Sequence, residues 1–170
     1  MKILVVGGNF AGATAALELK RKLKDNVEVT LIDRNENFVY IPSLIWVPIK
    51  RREVSEIIIP RKQVLEKKGV KFVLDTAIKV EPDENKVYCE NGTYEYDHLI
   101  IATGPKVNFD IAPGIKENAC YIGTPPGAMH TREKLEEFKQ NPGAIVIGAT
   151  QNAGCMGAAY EFLFNIEKWL

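Results

Sequence analysis

The stretch KILVVGGNFAGATAALELKRKLKDNVEVTLID, residues 2–33, decides the fold. Ile3 to Val6 form a short, continuously apolar run closed by Gly7 and Gly8, the pattern of a central parallel strand that feeds a tight turn. Beyond the turn, Ala13, Ala16, Leu17, Leu19 and Leu23 keep an apolar stripe against a charged back, which predicts an amphipathic helix ending in the polar KDN at 24–26. The segment 27–33 alternates and stops at Asp33, completing a β-α-β unit of about 30 residues. Within it GGNFAG, residues 7–12, matches G-x-G-x-x-G at its first and third glycines, with Asn9 at the second. Gly7 permits the tight turn and Gly12 lets helix and strand pack closely, while the middle position lets a pyrophosphate reach backbone N–H groups at the helix start. Asparagine is tolerable there, because it accepts left-handed backbone and its amide can donate to phosphate. Asp33, 26 residues after Gly7 at a strand end, is suited to accept hydrogen bonds from ribose hydroxyls. Strand, turn, helix, strand and acid in this order predict an adenine dinucleotide held by Gly7, Gly8, Asn9, Phe10, Ala11, Gly12, Asp33 and the adjacent Arg34. A purely structural β-α turn is the alternative.

From Val70 the texture changes to short strands, VKFVLD, AIKVEPD, KVYCENG and TYEYDHLIIATG, separated by turn-forming PDEN at 82–85 and ENG at 90–92. They predict an antiparallel meander whose last strand returns to the parallel sheet. Pro125 and Pro126 open a helix over 125–139. Gly143 precedes AIVIG, read as another buried strand, and a helix follows from about Cys155 to Trp169. That helix is apolar almost all round and expects burial on every side, as in a fragment of a longer protein or a chain that pairs with a partner, for instance as a homodimer. The fold class is therefore α/β: a Rossmann-like, dinucleotide-binding parallel sheet with an antiparallel β-meander over 1–110, then a linker and the first β-α unit of a second nucleotide-type domain over 111–170.

A chain of 170 residues, 46% hydrophobic and 26% charged, has the composition of a soluble globular protein large enough to bury a core. Twenty-two basic and twenty-two acidic residues cancel, so no net field gathers nucleic acid or anionic membrane; the run Lys50, Arg51, Arg52 reads as a solvated loop. The chain enters a strand at once, without the basic and apolar regions of an export signal, and no apolar stretch approaches the roughly 20 residues that cross a bilayer. Cys89, Cys120 and Cys155 have neither metal-ligand nor C-x-x-C spacing, which points to a reducing compartment, individual roles and no metal.

The meander inserted after the β-α-β unit and returning through LIIATG resembles the two-dinucleotide flavoproteins, whose ATG strand end packs near the flavin nucleotide. That resemblance implies FAD as the ligand, with Ala77, Ala102, Thr103 and Gly104 added to its site. Two further segments resemble the sulfide:quinone oxidoreductases, within the disulfide-reductase-like flavoproteins. YIPSLIWV, residues 40–47, is similar to the family's F-x-P-S-x-x-W-V segment, which implies Pro42 and Ser43 beside the flavin and Trp46 as packing. IVIGATQNAGCMGAAYE, residues 145–161, is similar to the family segment G-A-x-x-G-A-x-C-x-G-P-A-Y-E, whose cysteine is redox-active; Cys155 falls on it and Glu161 on its trailing acid. The family's further cysteine, in a segment like S-V-C-T-x-x-x-A, aligns with Gly123, and Cys120 lies three residues earlier. The resemblance covers all 170 residues, about the first half of a family member of usual length.

It implies oxidation of sulfide to sulfur or polysulfide, with electrons passed through FAD to a membrane quinone. It also implies that the partner cysteine and the membrane-docking helices lie beyond Leu170, so that this chain is inactive alone, cytoplasmic by itself and peripheral on the membrane at full length. Cys155 stands near a helix start, where free N–H groups and the dipole favour a thiolate; a small buried residue in a tight turn is the alternative. Glu161 relays protons or makes a polar contact. A type II NADH:quinone reductase would need a second G-x-G-x-x-G at 148–153, where GATQNA has only Gly148 in register. A non-catalytic dinucleotide-binding fragment is the remaining alternative.

Overall fold

In the computed structural model, which describes residues 1–151 and 153–170, strand β1 (Lys2–Val6) is covered on both faces. That is why its sequence is apolar without alternation. Ile3 and Val5 enter one buried cluster with Ala16, Val29, Leu31, Leu65 and Phe72. Leu4 and Val6 enter another with Ile32, Val87, Cys89 and Tyr96. The first cluster lies under α1 (Phe10–Leu23), whose stripe of Leu17, Leu19 and Leu23 packs against it as its periodicity predicts. Then follow β2 (Glu28–Asp33), β3 (Asn37–Val39), β4 (Ile58–Pro60), α2 (Arg61–Glu66) and β5 (Lys71–Leu74). Strands β6 (Ala77–Glu81), β7 (Lys86–Cys89) and β8 (Thr93–Glu95) form the antiparallel meander that supplies the second cluster, and β9 (His98–Ile101) completes the set. The parallel sheet runs β5-β2-β1-β9, while β3 and β4 pair as a separate ribbon.

Two strand assignments differ from the sequence expectation. The segment read as the first meander strand is β5, an edge strand of the parallel sheet in register Thr30 with Lys71 through Asp33 with Leu74. Phe72 reaches the helix-side cluster and Val73 the meander-side cluster, so β5 is covered on two faces, as a parallel strand requires. The segment read as one long returning strand is two. β8 stays in the meander, and β9 pairs with β1 after a turn at Asp97, whose carboxylate accepts from the Lys2 N–H at 2.6 Å.

The chain divides into two units, Met1–Val39 with Ile59–Lys106 and Tyr40–Ile58 with Val107–Leu170, rather than at a single boundary near 110. The reason is packing. Residues 41–46 form a 3₁₀ turn whose Ile45, with Ile49 beyond it, shares a buried cluster with Leu135, Phe162 and Ile166. The second unit also contains α3 (Ile115–Asn118), α4 (Pro125–Gln140) and α5 (Gly157–Trp169). Thr124 caps α4 by accepting from the Gly127 N–H at 3.2 Å, with the predicted prolines in its first turn. Arg132 on α4 pins the 47–53 segment, donating to the Val47 carbonyl at 2.8 Å, the Arg52 carbonyl at 2.9 Å and both Glu53 carboxylate oxygens. The basic run is not merely solvated, for Lys50 pairs with Glu136 at 2.8 Å and Arg51 lies over the Trp46 ring at 5.5 Å.

AIVIG, expected to be a buried strand, has no ladder partner among the described residues. It keeps a strand's period of two: Ile145 and Ile147 pack on the second unit's cluster while Val146 between them is 94% exposed. The following helix starts at Gly157, two residues later than expected, and is not buried all round. Phe162 and Ile166 face inward, whereas Tyr160, Leu163 and Phe164 are exposed.

Cys89 is a core residue on the inner face of β7. Burial, and secondarily the nearby Asp75 carboxylate, pushes its thiol up to about 11. An unfolded thiol titrates near 8.5, so the folded chain holds a proton that the unfolded chain releases, and stability is lost as pH rises from about 8.5 to about 11. Urea midpoints of the natural chain and a Cys89→Ala variant at about pH 8 and about pH 10 are expected to converge at the higher pH. A constant gap between them would contradict this.

Candidate functional site

The turn predicted to hold a nucleotide is built from the carboxyl ends of β1, β2 and β9. Gly7 donates to the Ile32 carbonyl at 2.8 Å, and Ala102 donates to the Val6 carbonyl at 2.7 Å, which brings the ATG segment against the glycine turn. Gly7 has φ +95°, and a Cβ there would sit 2.8 Å from the Thr103 Cα and closer still to the Ala102 carbonyl oxygen. A Cβ on Gly12 would overlap the Gly7 carbonyl oxygen and stand 2.9 Å from its carbon. These two glycines therefore do what G-x-x-x-x-G asks of them: the turn is tight and α1 starts in contact with β1.

Asn9 is the N-cap of α1, but its side chain makes no capping bond, and its Oδ1 is enclosed without a hydrogen-bond partner. The first turn of α1 has no acidic residue, so the positive end of the helix dipole is not offset from within the helix. Phe10 packs edge-on against Phe38 with ring centroids 4.9 Å apart. Asp33 closes the site. Its Oδ2 accepts from the Gly8 N–H at 2.6 Å and its Oδ1 from the Asn35 N–H at 2.7 Å. Arg61 Nη1 lies 3.2 Å from Oδ2; the Arg61 side chain is 4% exposed and that of Asp33 11%. An open helix N-terminus beside a carboxylate with lone pairs to spare fits the adenosine diphosphate end of a dinucleotide.

The structure brings together Gly7, Gly8, Asn9, Phe10, Ala11, Gly12, Asp33, Ala102 and Thr103. Gly104 follows at φ +74° with open space around its Cα. Arg34 is exposed, and Ala77 packs on the meander-side cluster. Arg61 and Phe38 are missed by sequence reasoning. A lone arginine after a proline carries no burial signal and would ordinarily be assigned to a solvated face.

In the second unit, Pro42 is exposed and Ser43 half-buried, its N–H donating to the Tyr40 carbonyl at 3.0 Å. Cys155 is exposed and stands immediately before the N-cap Met156, near the helix start as expected but outside its first turn; a buried structural cysteine is not what is found. Glu161 is exposed on α5. In the 148–153 loop Gly148 has open space around it and Ala153 donates to the Thr150 carbonyl at 3.0 Å, while Asn152 lies outside the described residues. Cys120 is exposed, and Gly123 packs against the Tyr121 ring.

A parallel sheet whose strand ends carry a close-packed glycine turn, an open helix start and a strand-end carboxylate defines a dinucleotide-binding α/β protein. The chain belongs to the pyridine nucleotide-disulphide oxidoreductase family, whose model matches residues 1–159, and that membership implies a flavin cofactor. It is 37% identical over 166 residues to the sulfide-quinone reductase of Aquifex aeolicus, covering 97% of this chain and 38% of that protein. The crystal structure of the sulfide:quinone oxidoreductase from the same bacterium superposes with a TM-score of 0.91 at 35% identity, over 98% of this chain and 40% of the other. A type II NADH:quinone oxidoreductase of Staphylococcus aureus is 29% identical over 137 residues, 80% of this chain and 34% of the relative. The chain thus spans about two fifths of the length of the relatives it matches. Among the described residues no helix is long and apolar enough to cross a membrane.

Proposed function

We propose that this chain is the FAD-binding portion of an oxidoreductase that oxidises sulfide and delivers the electrons to a quinone, peripheral on the membrane at full length. The observation that carries the proposal is the packed turn, with Gly7 and Gly12 against Ala102 and Thr103 and Asp33 beside Gly8, which fits the adenosine diphosphate half of FAD. When bound, the flavin supplies a two-electron acceptor. The chain's own residues do the rest. Main-chain N–H groups at the start of α1 hold phosphate, and Asp33 accepts from ribose. Cys155, exposed in a loop ahead of α5, is open to small anions such as hydrosulfide. With a flavin bound as the two-electron oxidant, its thiolate and hydrosulfide would form one S–S bond, leaving a persulfide anion on Cys155, with the two electrons and the hydrosulfide proton passing to the flavin. Sulfide is preferred to NADH as donor because the 148–153 loop has one glycine where a pyrophosphate turn needs three. Gly123 stands where the family has its further cysteine, so this chain alone completes one such step and does not cycle.

The purified chain is expected to bind FAD in a one-to-one complex. Under anaerobic conditions sulfide bleaches its visible band in a single turn, NADH leaves it unchanged, and no sustained quinone reduction follows. Bleaching by NADH in place of sulfide would transfer the assignment to the NADH:quinone reductases. A chain that takes up no FAD would leave only a non-catalytic fragment.

A further inference from the structure

We infer that Arg61 is a positioning residue for ribose recognition, holding Asp33 so that one carboxylate oxygen faces a free hydroxyl; the inference rests on reading the 7–12 turn as an adenine-nucleotide site. Arg61 comes from the first turn of α2 yet is 4% exposed, with its guanidinium over the Phe72 ring at 5.7 Å. It ties down three points of the segment that leaves β2. Nη1 donates to the Asn35 carbonyl at 2.7 Å and approaches Asp33 Oδ2 at 3.2 Å, and Nη2 donates to the Asn37 carbonyl at 2.9 Å. Oδ2 is thus engaged by both the Gly8 N–H and the guanidinium, while Oδ1 has the Asn35 N–H alone and keeps acceptor capacity.

The arrangement also has a specificity. An arginine beside this carboxylate is the usual means of accepting a ribose 2′-phosphate, but it must then present its fork to the ligand. Arg61 is turned inward, with Nη1 and Nη2 committed to main-chain carbonyls. Asp33, held by the Gly8 and Asn35 N–H groups and by Arg61, offers acceptor oxygens at the ribose position, which suit hydroxyl donors and not a second phosphate. The site therefore takes adenosine with a free ribose diol. Arginine rather than lysine is required, because a compact ammonium lacks the fork that reaches the Asn35 and Asn37 carbonyls and Asp33 together.

The test compares ADP with 2′,3′-dideoxy-ADP by calorimetric titration of the 170-residue chain and of its Arg61→Leu and Arg61→Lys variants. A hydrogen bond to an ionised group predicts that the natural chain prefers ADP by at least about tenfold, and that this preference falls to within about threefold in both variants. The ratio separates orientation from general support, since a merely structural arginine would weaken both ligands equally and leave the ratio intact. That result would overturn the role of Arg61 while leaving the nucleotide site in place. A natural chain that binds ADP without preferring it over the dideoxy form removes ribose recognition by Asp33, and with it the inference. A natural chain that binds neither removes the nucleotide reading itself. Should Arg61→Leu not fold, Arg61→Lys, which keeps the charge and loses the fork, decides by the same ratio.

Discussion

Gly12→Ala is expected to cost the first unit at least about 3 kcal/mol and with it FAD binding, a large effect from one methyl group. The added carbon would overlap the Gly7 carbonyl oxygen and lie 2.9 Å from the Gly7 carbonyl carbon. Both atoms are main chain, so no rotamer relieves the overlap. α1 must lift from β1, or the turn must open. Either movement disturbs the cluster that Ala16 shares with Ile3, Val5 and Leu31, and displaces the helix start that is proposed to hold phosphate. A domain stability of about 5–15 kcal/mol leaves little margin for such a loss. Gly143→Ala is the control, because open space surrounds that glycine and its midpoint should stay within about 0.5 kcal/mol. Urea unfolding of the two variants measures the contrast. Equal midpoints, with FAD retained by Gly12→Ala, would mean that helix and strand do not meet at Gly7.

Cys155→Ser is expected to have the opposite signature, with chemistry lost and structure kept. The residue is exposed and precedes the helix, so the change should move stability by no more than about 0.5 kcal/mol and leave FAD affinity unaltered. Sulfide-dependent bleaching of the bound flavin should fall by about a thousandfold or more, as it does when a nucleophile is removed outright. Mass spectrometry supplies a second measurement. In the natural chain one sulfur atom is gained on the peptide that contains Cys155, whereas Cys89, buried with its thiol held protonated, gains none. If Cys155→Ser bleaches at the natural rate, or the added sulfur sits on Cys120, then Cys155 is not the thiol that meets sulfide.

How far the fold could be read in the sequence depended on whether a residue's partners were close in the chain. The β-α-β unit was legible because Ile3 to Val6 are apolar on both faces and Gly7 and Gly12 bracket one turn. The return through ATG was legible for the same reason. The position of β5 was not, since KFVL suits a meander as well as a parallel edge, and only the two clusters that receive Phe72 and Val73 decide between them. AIVIG has the composition of a buried strand, but a strand also needs neighbours, and composition does not supply them. The association of residues 40–58 with α4 and α5 depends on Ile45 and Ile49 meeting Leu135 and Phe162, a tertiary event without a local signature. For the site, the glycines and Asp33 announced themselves by spacing. Arg61 did not, because what sets it apart is burial beside Asp33, which no single residue type encodes.

The interleaved division of the chain sets an order of assembly during synthesis on the ribosome. β1 lies between β2 and β9, so its second edge stays open until residues 98–101 have emerged. Residues 40–58 emerge long before α4 and α5, and must wait for them with Ile45 and Ile49 unburied. Closing such distant pairs is entropically costly and slow. The nascent chain therefore passes through an interval in which most of the first unit has emerged while Ile45 and Ile49 still await their partners. Across these 170 residues, that interval leaves apolar side chains that a chaperone could bind.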